Sequence, residues 1–208
     1  MAVIEFFLKG GPIMWPILLC SIIALSIVIE RIIFYVRLLP RSKAFVEQAF
    51  TDDRYQPDQL RKLVNENADL PLGRVFGAAL SVKTDDESLF RLALEGAAKS
   101  EVPRLKRYIS VLDTIVTLCP FLGLLGTVVG LINSFASLGL ESEASAKGLE
   151  VAGGISEALI ATASGMAVAL VTLVFSSLFR VLARRQTTLM ETAGTQLELR
   201  WRLATGGK

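Results

Sequence analysis

Three long stretches of this chain carry almost no charge. Residues 10–29 have none over 20 positions, residues 114–140 none over 27, and residues 151–179 only Glu157 over 29. About 20 apolar residues, rising ~1.5 Å each, carry a helix across a bilayer. The chain is 52% hydrophobic, and the clumping of its apolar residues leaves room for little else. No polar/apolar alternation of the kind a strand needs is present. The expectation is an all-α integral membrane protein with three transmembrane helices. The first run is not built like a cleaved leader. Glu5 and Lys9 cancel, the apolar core is long, and it ends at Glu30-Arg31 without a small-residue cleavage site.

Positive charge orients the spans. Arg31, Arg37, Arg41 and Lys43 follow the first. Lys99, Arg104, Lys106 and Arg107 precede the second, and Arg180, Arg184 and Arg185 follow the third. The link between spans two and three holds Glu141, Glu143, Lys147 and Glu150 and is not basic. The termini are therefore expected outside (N) and inside (C). This divides the chain into a periplasmic N-terminus with the first span (1–37) and a cytoplasmic helical insert (38–107). The second span (108–140), a periplasmic link (141–150), the third span (151–179) and a cytoplasmic helical extension (180–208) complete it. Within the insert, helices are expected over 41–50, 57–67 and 72–82. Thr84 and Glu87 form a capping box for another, with Leu89, Leu92 and Gly96 on its packed face and a kink at Pro103. The third span has no breaker and should run on to about residue 203, with Leu182, Leu189, Ala193 and Leu197 near one face. Insert and extension together predict a helical bundle. Trp15 and Tyr35 suit interfacial anchors of a lipid-facing first span.

Glu157 costs about 2.5–3.5 kcal/mol at mid-bilayer. Intramembrane carboxylates of this kind usually line ion or proton paths. The second span carries a one-face stripe of small and polar residues: Asp113, Thr117, Pro120, Gly123, Thr127, Gly130, Ser134 and Ser137, with Gly126 beside it. The third carries Gly154, Ala158, Thr162, Gly165, Ala169, Thr172 and Ser176. Small residues let helices approach where lipid gives no hydrophobic drive. That explains the glycines and alanines better than the threonines. Thr127 and Thr162 both fall near the midplane, on antiparallel helices whose hydroxyls could share a level. Asp113 sits at the inner boundary, where it could pair with Arg107 or Lys106 or serve proton exit. Glu157 could instead be a structural carboxylate paired with Lys147.

Histidine is absent, which removes Ser-His and Cys-His nucleophile pairs and His-metal sites. Ser156, in Gly154-x-Ser-x-Ala158, has no base to activate it, so an intramembrane enzyme is disfavoured. No metal or cofactor is expected. A net charge of +2 without a basic aromatic patch argues against nucleic acid. Cys20 and Cys119 lie in separate spans and are expected as packing residues, not a disulfide.

Two longer motifs carry a resemblance. The run Pro120-Phe-Leu-Gly-Leu-Leu-Gly-Thr-Val-Val-Gly130 is similar to the second-span motif of the MotA/TolQ/ExbB proton-channel family. Gly154-Ile-Ser-Glu-Ala-Leu-Ile-Ala-Thr-Ala-Ser-Gly165 is similar to its third-span motif, in the ExbB/TolQ manner. The resemblance implies a homo-pentameric ring in the bacterial inner membrane. The ring would surround a dimer of an ExbD/TolR-type single-span protein whose membrane aspartate takes and releases the proton. A TonB/TolA-type energy-transducing protein would be a further partner. Thr127 and Thr162 would face the ring interior and Glu157 its outer side, with Pro120, Gly123, Gly126, Gly130, Gly154, Ala158 and Gly165 as the packing and pore stripe. The transported ion would be H⁺ in preference to Na⁺. Where the family often has Ala-Ile-Pro-Ala, this chain has Ala169-Leu170-Val171-Thr172, so the third helix is expected to be straighter than is usual in the family. A non-conducting scaffold that anchors a partner is the competing function.

Overall fold

The computed structural model describes residues 7, 9–51, 56–82, 86–138 and 144–206, with side chains for all of these except 137, 138, 144–150 and 205. The described residues form six helices: α1 (Met14–Ala49), α2 (Pro57–Glu66), α3 (Pro71–Ser81), α4 (Glu87–Leu105), α5 (Ile109–Leu138) and α6 (Ala144–Thr205). Three of them, α1, α5 and α6, are long and apolar enough to cross a membrane, with mean hydropathies of 2.5, 2.3 and 2.2 in their most apolar stretches. The chain forms two compact units, one of residues 1–29 and 108–178, the other of residues 30–107 and 179–208.

In the first unit, Gly11 takes a φ of +72° and ends the preceding turn, a conformation glycine adopts without a Cβ penalty. Pro12 follows, and the Met14 and Trp15 amides donate to the Gly11 and Pro12 carbonyls to open α1. Its outer surface is Leu, Ile and Val with Trp15 64% exposed, as a lipid-facing span requires. Helices α5 and α6 run antiparallel and touch through their small residues. The Cys20 and Cys119 thiols meet between α1 and α5 as free cysteines. Helix α6 continues unbroken for 62 residues with no internal proline, as expected from Ala169-Leu170-Val171-Thr172.

The second unit is an aromatic-cored bundle. Phe45 packs edge-on to Phe76 at 5.4 Å, and Phe90 stacks on Trp201 at 4.7 Å. Such pairs are worth about 0.5–1.5 kcal/mol beyond their buried area. Pro57 and Pro71 each occupy the first turn of their helix, where the missing N–H has no intrahelical partner to lose. Arg74 of α3 clamps Glu101 of α4 through Nε (2.8 Å) and Nη2 (2.6 Å).

Several expectations are corrected here. Tyr35 is not an interfacial anchor: it is 1% exposed, donates to the Leu105 carbonyl at 2.8 Å and stacks on Phe179. The cap of α4 is Asp86, which accepts from the Ser88 amide (2.8 Å) and hydroxyl (2.7 Å). Those bonds hold its carboxyl below the usual range. Thr84, the expected cap, lies outside the described residues. The packed face of α4 is Phe90, Leu94, Glu101 and Leu105, while Leu89, Leu92 and Gly96 are exposed. Both sets have helical spacing, and stacking on Trp201 selects the first. On α6, Ala193 and Leu197 are buried as expected, but Phe179, Ala183 and Met190 complete that face, with Leu182 and Leu189 half-buried.

Pro103 does not kink a through-running helix. α4 ends at Leu105, and α5 restarts after Tyr108, whose φ is +65°. A left-handed residue with a Cβ costs about 1–2 kcal/mol. Tyr108→Gly should therefore be more stable than Tyr108→Ala by about 1 kcal/mol in detergent unfolding, since both remove the ring and only glycine relieves the backbone. Equal stabilities would show that this conformation is not kept.

Candidate functional site

The two stripes meet along one seam of the first unit. A methyl group at Gly123 would lie 3.0 Å from the Thr162 Cα, and one at Gly130 would lie 2.7 Å from the Gly154 carbonyl oxygen and 2.8 Å from the Ala158 Cβ. At Gly165 it would come within 2.5 Å of the Cys119 carbonyl oxygen. The backbones are therefore in near contact over most of the seam, and Gly126 closes on Ala161, which is fully buried. Gly126 belongs to the expected packing stripe; Ala161, one position from Thr162, does not. Pro120, half-buried, lies inside α5 and leaves the carbonyl four residues before it without its helical donor. Ser134 bridges the helices by donating to the Gly130 (2.9 Å) and Val151 (3.3 Å) carbonyls. The Ser137 side chain lies outside the described residues.

Both threonines are half-buried. The Thr162 hydroxyl crosses the seam and donates to the Gly123 carbonyl at 2.8 Å. The Thr127 hydroxyl donates to the Leu124 carbonyl at 2.6 Å. The structure thus brings the two hydroxyls onto consecutive carbonyls of α5. Their backbones are offset, with the Thr162 Cα beside Gly123 and so about one helical turn from the Thr127 Cα, but the carbonyls that the two hydroxyls reach are one residue, about 1.5 Å of rise, apart. Each hydroxyl uses its one hydrogen in these bonds and keeps acceptor lone pairs. The result is a pair of oriented acceptors near the middle of the spans.

Glu157 is half-buried beside the turn that opens α1. Its carboxylate fills the space where a Cβ of residue 11 would stand, and the start of α1 favours negative charge there. Gly11 was not singled out from the sequence. Its signal was the Gly10-Gly11-Pro12 turn at the start of an apolar run. The Lys147 side chain lies outside the described residues. At the other end of the seam, the Ser176 hydroxyl donates to Asp113 Oδ1 at 2.6 Å. Ser156 is exposed. No group of three or more His, Cys, Asp or Glu side chains that could hold a metal occurs among the described residues.

The model of the MotA/TolQ/ExbB proton channel family matches residues 67–192. The chain belongs to this family. The ExbB-like 3 protein of Synechocystis sp. is 40% identical over 195 residues, 94% of this chain and 93% of the relative. ExbB-like 1 of the same organism is 39% identical over 203 residues, 96% and 79% of the two chains. The Tol-Pal system protein TolQ of Haemophilus influenzae is 38% identical over 74 residues, 36% and 32% of the two chains. Membership in the MotA/TolQ/ExbB family makes the chain a channel-type transport subunit rather than an enzyme.

Proposed function

We propose that this chain is the proton-channel, or stator, subunit of a motor in the bacterial inner membrane. With an ExbD/TolR-type single-span partner it uses the proton motive force to energise transport or mechanical work across the envelope. The N-terminus is periplasmic and the C-terminus cytoplasmic, following the basic residues that flank the spans. Five copies form a ring around a partner dimer, with a TonB/TolA-type protein as the element driven. The reading rests on the two threonine hydroxyls anchored to consecutive carbonyls. With their hydrogens committed, they accept from a protonated carboxylic acid on the partner and hold it in place without competing as donors. Glu157 supplies negative charge towards the outer side. The ion is H⁺: two hydroxyls in an apolar wall are too few oxygens for Na⁺.

The test uses the complex purified from native membranes with its single-span companion and reconstituted in liposomes under an imposed proton gradient. Combining Thr127→Val with Thr162→Val should lower dye-reported proton flux at least about tenfold, less than the roughly 10²–10⁴-fold of a group that itself transfers the proton. Replacement of both by serine should preserve flux. A parental complex that conducts no protons, or a valine variant that conducts equally, would sink the reading.

One observation favours a second reading, a non-conducting scaffold that anchors a partner. The glycines and alanines of both stripes are committed to packing within the chain, and such a scaffold needs nothing more. It expects the valine variant to bind its companion and behave as the parent does.

A further inference from the structure

We infer that Asp113, held by Ser176, is a second proton-binding site, at the inner mouth of the path. The inference rests on the channel reading above. Asp113 stands 14 residues before Thr127, and Ser176 stands 14 residues after Thr162. Fourteen residues are nearly four helical turns, about 21 Å of rise and about 40° of angular drift. Asp113 therefore lies on the face of Thr127, and Ser176 on the face of Thr162. Because α5 and α6 are antiparallel, both lie towards the same end. The structure joins them, with the Ser176 hydroxyl 2.6 Å from Asp113 Oδ1. Each helix thus repeats, at its inner end, the polar position it holds at mid-membrane.

The chemistry of the pair differs from the other hydroxyl contacts in the seam. Thr117, Thr127, Ser134, Thr162 and Thr172 all donate to backbone carbonyls. A hydroxyl satisfied in that way ties or caps a helix and carries no titratable group. Ser176 is 0% exposed and donates to a carboxylate instead. A short, charge-assisted bond of this kind orients an anion. Between Asp113 and Glu157 the two spans hold no other Asp, Glu, Lys or Arg in residues 114–140 or 151–156, and none follows Glu157 until Arg180. A proton released from the partner's acid at the level of the threonines next meets the Asp113 carboxylate. It binds there to form the carboxylic acid, and the same proton then leaves to cytoplasmic water, regenerating the carboxylate. Ser176 is a positioning residue and does not itself carry the proton.

The proposal and a purely structural tie make opposite predictions. Asp113→Asn keeps an oxygen that accepts from Ser176 but cannot bind the proton. Ser176→Ala breaks the hydrogen bond but leaves the acid. In the reconstituted complex with its companion, Asp113→Asn should lower proton flux at least about tenfold at unchanged subunit and partner content. Asp113→Glu should restore flux, and Ser176→Ala should keep the larger part of it. The reverse order, with Asp113→Asn conducting as the parent does or Ser176→Ala the more damaging of the two, would overturn the proposal. A conducting parent with a conducting Asp113→Asn overturns this site alone. A parent that conducts no protons overturns the channel reading and this site with it.

Discussion

Gly165→Leu is expected to lose about 3 kcal/mol or more of stability, the upper end of overpacking costs. Even the Cβ of alanine would stand 2.5 Å from the Cys119 carbonyl oxygen and 3.2 Å from the Gly123 Cα and N. Those are backbone atoms, and no rotamer change moves them. The helices must separate. The separation also breaks the contact at Gly123 and stretches the bond from Thr162 to the Gly123 carbonyl, so proton flux should fall with stability. Gly153 on the same helix provides the control. Nothing lies within 4 Å of the position a Cβ would take there, so Gly153→Ala should be neutral or gain up to about 1 kcal/mol from helix propensity. Unfolding in mild detergent, followed by circular dichroism, measures both. If the two variants behaved alike, the close seam between α5 and α6 would be wrong.

The seam itself was legible in the sequence, because a membrane leaves few ways to arrange small residues. A stripe of glycine, alanine and serine at helical spacing over a full span has to meet another helix closely, and Gly123, Gly130, Ala158 and Gly165 do so. What the stripes could not give was axial register. Periodicity fixes a face to within tens of degrees, but the sliding of one helix along another depends on which ridges fit which grooves. The Thr127 and Thr162 backbones are therefore offset by about a turn, while their hydroxyls reach consecutive carbonyls. Gly11 escaped because nothing in the local pattern connects it to Glu157, 146 positions later.

Outside the spans the limits were of another kind. Tyr35 fits an interfacial anchor by position and chemistry, yet its hydroxyl finds the Leu105 carbonyl and its ring finds Phe179. Burial with a satisfied hydroxyl gains more than a place at the interface. On α4, the sets Leu89, Leu92, Gly96 and Phe90, Leu94, Glu101 are equally periodic. The second set includes a carboxylate, which a hydropathy pattern assigns to the solvent. The arginine that receives it, 27 positions earlier on α3, lets the face whose Phe90 stacks on Trp201 be the buried one.

That arginine and carboxylate carry the other large expected effect, and the order of the effects tests the geometry. Glu101 is 4% exposed and accepts from Arg74 at two nitrogens, with Arg104 Nη1 a weaker third donor at 3.3 Å. The Arg74 side chain is one-third exposed and also donates to the Asp69 carbonyl at 2.7 Å. Removing one partner of a buried pair costs about 3–5 kcal/mol, because the other charge is left uncompensated. Here the two partners are unequal. Glu101→Ala leaves an arginine that can turn to water and keep its carbonyl bond, so its loss should fall near the low end, about 3 kcal/mol. Arg74→Ala strands the more deeply buried charge with a single distant donor and should cost nearer 5 kcal/mol. Replacing both by apolar residues of similar volume, Arg74→Met with Glu101→Leu, strands neither and should recover most of the loss. A double-mutant cycle read by chemical unfolding supplies all three numbers. If Glu101→Ala proved the worse of the singles, the carboxylate would not be the more buried partner and the clamp between α3 and α4 would have to be redrawn.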